Sequence, residues 1–119
     1  MSNFISLQQA IALTTTYRNE RENILADAQK GKDILPLSET FDRASFEALL
    51  AETDATFIRV YLGMDSDQKI RLIVVAADSE NVDILPAEDD AENTDGDTGI
   101  LEDGIRCPPN CPPTSPLNS

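Results

Sequence analysis

Histidine is absent from the 119 residues, and glycine occurs only five times. Without histidine the chain lacks the commonest general base, the usual serine and cysteine triads and the commonest metal ligand. The few glycines form no phosphate-binding pattern: neither GxGxxG, a Walker loop nor a nucleophile elbow occurs. Basic residues are scarce too, nine against twenty-two acids, for a net charge of −13. Such a surface repels nucleic-acid phosphates, so no nucleic acid is expected as a partner. No apolar run approaches the ~18–20 residues that cross a bilayer. The opening MSNFISLQQA has neither a basic region nor a continuous apolar run. No membrane partner and a cytoplasmic location are the expectation.

The charge that is present divides the chain in two. Up to Ala77 eleven acids oppose eight bases, whereas from Asp78 onward eleven acids oppose Arg106 alone. The first part reads as an ordinary globular surface and the second as a solvated, self-repelling segment. Glu88–Asp103 holds eight acids and no base, and Gly104–Ser119 holds five of the seven prolines. The expected organisation is a small α+β domain over 1–86 followed by a flexible acidic and proline-rich tail over 87–119. A domain of that size buries a modest core, which favours a shallow binding surface over an enclosed active site.

Within 1–86 the elements follow from periodicity. Ser6 and Gln9 have capping-box spacing, and Leu7, Ala10, Ile11, Thr14, Tyr17, Ile24 and Leu25 recur with helical period. They predict a helix from about Leu7 to Gln29 that stops at Gly31. Asp33-Ile34-Leu35-Pro36 suits a short edge strand or an extended connector, and Asp83-Ile84-Leu85-Pro86 echoes it residue for residue. Asp42 is placed to cap a second helix, about Arg43 to Ala51, burying Phe46, Leu49 and Leu50. Thr56–Leu62 and Lys69–Ala77 are rich in β-branched residues and predict a hairpin turning over Gly63–Gln68. The fold class is therefore α+β, two helices packed on a small antiparallel sheet of hairpin and short edge strands.

Alternation sorts the hairpin into two faces. Ile58, Val60, Leu62, Ile70, Leu72 and Val74 make an apolar face expected to pack on the helices. The other face is mixed and carries Phe57, Arg59, Tyr61, Lys69 and Arg71. These five residues form a candidate interaction surface for an anion or an acidic peptide, with the aromatics supplying apolar contact. The bland reading is a partly covered sheet face on which long basic side chains shield apolar neighbours.

Two tail features carry possible chemistry. Asn93, Asp95, Gly96 and Glu102 fall at calcium-loop spacing, but Ala91 stands where that loop needs aspartate, so a solvated linker without metal is expected. Cys107 and Cys111 bracket Pro108, Pro109 and Asn110. Extended polyproline II would carry four residues about 12 Å, beyond disulfide reach, so free thiols are expected and a bridge requires a turn at Asn110. Two thiols also fall short of a four-ligand zinc site in one chain, although two chains together supply four. No metal and no cofactor are expected. Arg106, Cys107, Pro108, Pro109, Cys111, Pro112 and Pro113 form a candidate tail recognition element, with the proline spacing of a PxxP ligand.

The helix with Tyr17-Arg18, the DILP segment and above all the ending EDGIRCPPNCPP resemble a group of small uncharacterised Bacteroidota proteins with an acidic, CPPxCPP-containing tail. That resemblance implies no activity and transfers no catalytic residue. The function expected is therefore a non-enzymatic interaction or regulatory protein that reads a protein partner through its tail. The alternative is an acidic inhibitor or immunity-type protein that blocks a basic site on its partner. Oligomeric state is left open by the sequence.

Overall fold

The computed structural model describes residues 3–51, 54–86 and 100–118. Among these, the elements are α1 (Leu7–Glu20), β1 (Ser38–Thr40), α2 (Arg43–Leu50), β2 (Phe57–Met64), β3 (Ile70–Ala77), β4 (Asp83–Ile84), β5 (Ile100–Leu101) and β6 (Ile105–Cys107). The α+β architecture is the one that the periodicities predict.

Strand β3 organises the molecule. Along one edge it pairs antiparallel with β2, from Phe57 opposite Ala77 to Met64 opposite Ile70. A turn closed by the Asp65 N–H on the Lys69 carbonyl (3.0 Å) joins the two strands. The Asp65 carboxylate accepts from the Asp67 and Lys69 amides across that turn. Along its other edge β3 is satisfied piecemeal by segments far apart in the chain. Ala76 pairs with Ile84 of β4 and Val74 with Leu101 of β5. The Leu72 amide donates to Glu39 Oε2 at 2.7 Å, and the Ile70 amide to the Ile34 carbonyl at 2.8 Å. Buried backbone donors must be paired, and four separate segments meet that demand here. Both DILP segments thus meet this edge, Ile84 in register and Ile34 through a single hydrogen bond.

The core lies between α2 and β3, where Leu49, Val74 and Ala76 are buried with Phe41, Phe46, Ala55, Ile84 and Leu101 around them. Phe41 and Phe46 meet with ring centroids 5.8 Å apart. Coverage of the apolar hairpin face differs from expectation. Its β3 half is buried at Val74, but Ile58, Val60 and Leu62 of β2 remain exposed. The helical cover is centred on β3, where α2 packs, and neither helix packs extensively on β2. Leu50, expected inside, is exposed as well, and Asp42 stands at the N-cap of α2 without a side-chain capping bond.

α1 begins with the expected capping box, Ser6 Oγ accepting from the Gln9 amide and Gln9 Oε1 from the Ser6 amide. It ends at Glu20, not near Gln29. Beyond that point the periodic stripe consists of Ile24 and Leu25, and Ile24 is 72% exposed, so little burial supports further helix. The chain makes turns and a short 3-10 segment over Asp27–Gln29 before Gly31, at φ 77°, closes the segment. The C-terminal half of α1 is tied to the following connector. Tyr17 Oη donates to the Pro36 carbonyl and Arg21 Nη1 to the Leu35 carbonyl, each at 2.6 Å.

The largest correction concerns the C-terminal part of the expected tail. Residues from Ile100 on are built into the fold, β5 on β3 and β6 on β1, with Ser38 opposite Cys107 and Thr40 opposite Ile105. Their apolar pieces are two or three residues long, too short for periodicity to reveal, yet each meets an edge that needs pairing. The acidic stretch 87–99 lies outside the described residues.

Candidate functional site

The ordered ending is held by Arg106. Its side chain enters from β6 and is almost wholly buried, at 5% exposure for the residue. Nη2 donates to the carbonyls of Asp33 (2.6 Å) and Ile34 (2.8 Å), while Nη1 and Nε reach those of Pro108 and Ile70. A planar guanidinium with five donors suits such a set of carbonyls, which no lysine could match. Arg106 therefore pins the connector, the start of β3 and the ending to one another.

Immediately beyond it the chain reverses. The peptide bonds Cys107–Pro108 and Pro108–Pro109 are cis, and the Asn110 amide donates to the Arg106 carbonyl at 3.0 Å. Cys107 and Cys111 come within 4.5 Å at their Cα atoms and form a disulfide. An extended polyproline II run predicts free thiols, and the turn at Asn110 that a bridge requires is present here. With both sulfurs bridged, the shared four-thiolate zinc site has no ligands. Among the described residues no group of three or more acidic or sulfur side chains is arranged to hold a metal ion. The calcium-like spacing falls outside the described residues over 91–99, and its last positions enter or follow β5.

The mixed hairpin face is divided by its own partners. Arg59 pairs with Asp83 of β4 across β3, and also donates to Asn81. Tyr61 Oη donates to the other oxygen of the same carboxylate. Hydrogen bonds from Tyr61 and Arg59 hold the Asp83 carboxyl below the usual carboxylate range, and the same contact raises the Tyr61 hydroxyl. Arg59 and Tyr61 are thus committed internally, and Phe57 stands half exposed beside them at the end of β2.

Lys69 and Arg71 face elsewhere. They line a cleft of about 360 Å³ whose opposite wall is Asp103–Arg106 and the turn of Pro108, Pro109 and Asn110. The hairpin bases and the proline turn, separate in sequence, share this cleft. Arg71 Nε is 3.0 Å from Asp65 Oδ2. The Asp65 carboxyl is depressed, first by the Lys69 amide and then by Arg71. Lys69 enters no ion pair among the described residues. Of the tail residues singled out from sequence, Arg106 and Cys107 are buried, Pro108 and Pro109 line the cleft, and Cys111, Pro112 and Pro113 are exposed.

Sequence reasoning missed Asp65, Asp83 and Asp103, and named Asn110 only as the turn that a bridge would require. Asp65 had a legible sign, an aspartate opening a hairpin turn. Asp83 had none, because its partners lie two strands away. A second cleft of about 260 Å³, between Tyr17, the Leu35–Leu37 connector and Leu62, Ile70 and Leu72, is apolar. Its hydroxyl is spent on Pro36 and one oxygen of Glu39 on Leu72. No protein-family model, curated protein or solved structure matches the chain.

Proposed function

We propose that the chain is a non-enzymatic protein-interaction module that takes an acidic segment of a partner protein into the cleft between the hairpin and the bridged proline turn. The observation that carries this reading is that Lys69 and Arg71 share one wall, Arg71 paired with Asp65 and Lys69 in no ion pair among the described residues, in a chain of net charge −13. A carboxylate entering there gains charge-assisted hydrogen bonds, and Pro108 and Pro109 offer rigid apolar contact beside them. Hydrogen bonds within the fold hold Asp65 and Asp83 ionised, so both carboxylates are spent on their own neighbours. Among the described residues no helix is long and apolar enough to cross a membrane. A lasting Cys107–Cys111 bridge favours an oxidising compartment over the cytoplasm.

Titration of the full chain with a short oligoglutamate peptide, followed by amide chemical shifts, tests the reading. Shifts centred on Lys69, Arg71, Gly104 and Asn110 are expected. They should fade between about 0.05 and 0.5 M salt, where screening shortens to roughly 4 Å, and vanish in Lys69→Glu. Shifts elsewhere, or shifts that survive the charge reversal, would refute it.

A further inference from the structure

β2 is an edge strand, with β3 on one side and no strand on the other among the described residues. The bond from the Asp65 amide to the Lys69 carbonyl sets the phase of the hairpin ladder. Because hydrogen-bonded and non-bonded pairs alternate, Arg59, Tyr61 and Gly63 turn their backbone groups to β3. Ile58, Val60, Leu62 and Met64 turn theirs outward. The same phase is visible across β3, where Ile70 and Leu72 send their amides to the far edge. The outward-facing residues are also the exposed ones, Ile58 at 42%, Val60 at 53%, Leu62 at 73% and Met64 at 62%.

Proteins guard such an edge with lysine, proline, bulges or inward-pointing charge. Phe57–Met64 contains neither proline nor lysine, and its one charge, Arg59, is drawn across β3 to Asp83 and Asn81. Phe57 and Tyr61 add exposed apolar area on the other face. At roughly 100 Å² each, the six side chains present on the order of 600 Å², close to the ~800 Å² that each partner contributes to a standard interface.

We propose that β2 pairs antiparallel with β2 of a second copy about a twofold axis, joining the two sheets into one. The register with Tyr61 on the axis is the one that pairs all four outward-facing residues of β2. Val60 then lies opposite the partner's Leu62, and Ile58 opposite the partner's Met64. All four pairs related by the axis use outward-facing backbone groups and have apolar side chains side by side. Arg59 falls opposite glycine, the partner's Gly63, so no like charges meet. A register centred on Arg59 would set two guanidinium groups together and pair fewer residues. The interface is isologous, so it closes at two copies and leaves no new edge.

Sedimentation equilibrium of the full chain from about 1 μM to about 1 mM should show the mass doubling with concentration. Leu62→Lys, at a position too exposed to disturb folding, should return the chain to monomer with an unchanged circular dichroism spectrum. Tyr61→Cys should cross-link the dimer on oxidation with the native bridge intact, because directly opposed non-bonded residues lie about 4.5 Å apart at Cα. Ile58→Cys should not. A monomer over the whole range would overturn the proposal. So would a dimer that survives Leu62→Lys or fails to cross-link through position 61. The acidic-peptide cleft stands or falls separately, since its probe reports on Lys69 and Asn110.

Discussion

At Asp83 one carboxylate satisfies two side chains from β2: it accepts from Tyr61 and pairs with Arg59 on the other side of β3. These contacts favour the ionised form, so the folded carboxyl titrates below its unfolded value. The stability it contributes is therefore complete above the unfolded carboxyl range near pH 4 and is lost as pH falls through the folded value. In thermal melts between about pH 5 and pH 2, the parent should lose melting temperature more steeply than Asp83→Asn, which has one fewer proton to take up on unfolding. Parallel curves would show that Asp83 titrates as it does in the unfolded chain. The same network explains why the mixed hairpin face is smaller than alternation implies. Arg59 and Tyr61 are spent on Asp83, and only Lys69 and Arg71 are left to the cleft.

Strands β5 and β6 are too short to be stable alone, and their places depend on the groups that receive them. β5 completes the far edge of β3, while β6 pairs with β1 and delivers Arg106 to the carbonyls of Asp33 and Ile34. Replacing Arg106 with methionine keeps much of the side-chain volume but leaves buried acceptors without donors, a change that typically costs about 3 kcal/mol for a charge-assisted set. Urea denaturation of Arg106→Met should show a loss of that size with an unchanged m-value. A loss under about 1 kcal/mol would mean that water satisfies those carbonyls and that the guanidinium is not the clamp. Gly104, between the two strands, has a packing role of its own. A Cβ there would sit 2.9 Å from the Phe41 ring.

Over the whole molecule, the charge boundary and the fold boundary do not coincide. Net charge changes character near Asp78, yet the structure takes chain from both sides of the acidic stretch into one sheet. A chain ending at Pro86 would lack Leu101 in the core, the β5 pairing, Arg106 and the bridged turn. Small domains have margins of only about 5–10 kcal/mol, so the truncated chain is expected to lose its cooperative thermal transition. Retention of a sharp melt near the parent temperature would show that 1–86 folds independently and that the ending merely decorates it.

Much of the first half was legible along the chain. The capping box at Ser6, the start of α2 and the two hairpin strands with their faces all follow from spacing between near neighbours, because helix and strand periods are local properties of the backbone. What spacing does not contain is the demand of one element for another. The far edge of β3 recruited Glu39, Ile34, Ile84 and Leu101 because its amides had to be paired, and nothing within any of those segments signals that use. The proline turn likewise reads as an extended tail until the Asn110 amide meets the Arg106 carbonyl and the two cysteines stand side by side. An α+β chain with an acidic excess and an apolar hairpin can be read from the order of the residues alone. That Lys69 and Arg71 face the proline turn and that β2 is left open emerges from the packing, since both depend on which distant segments had already met the hydrogen-bonding and charge requirements of the sheet.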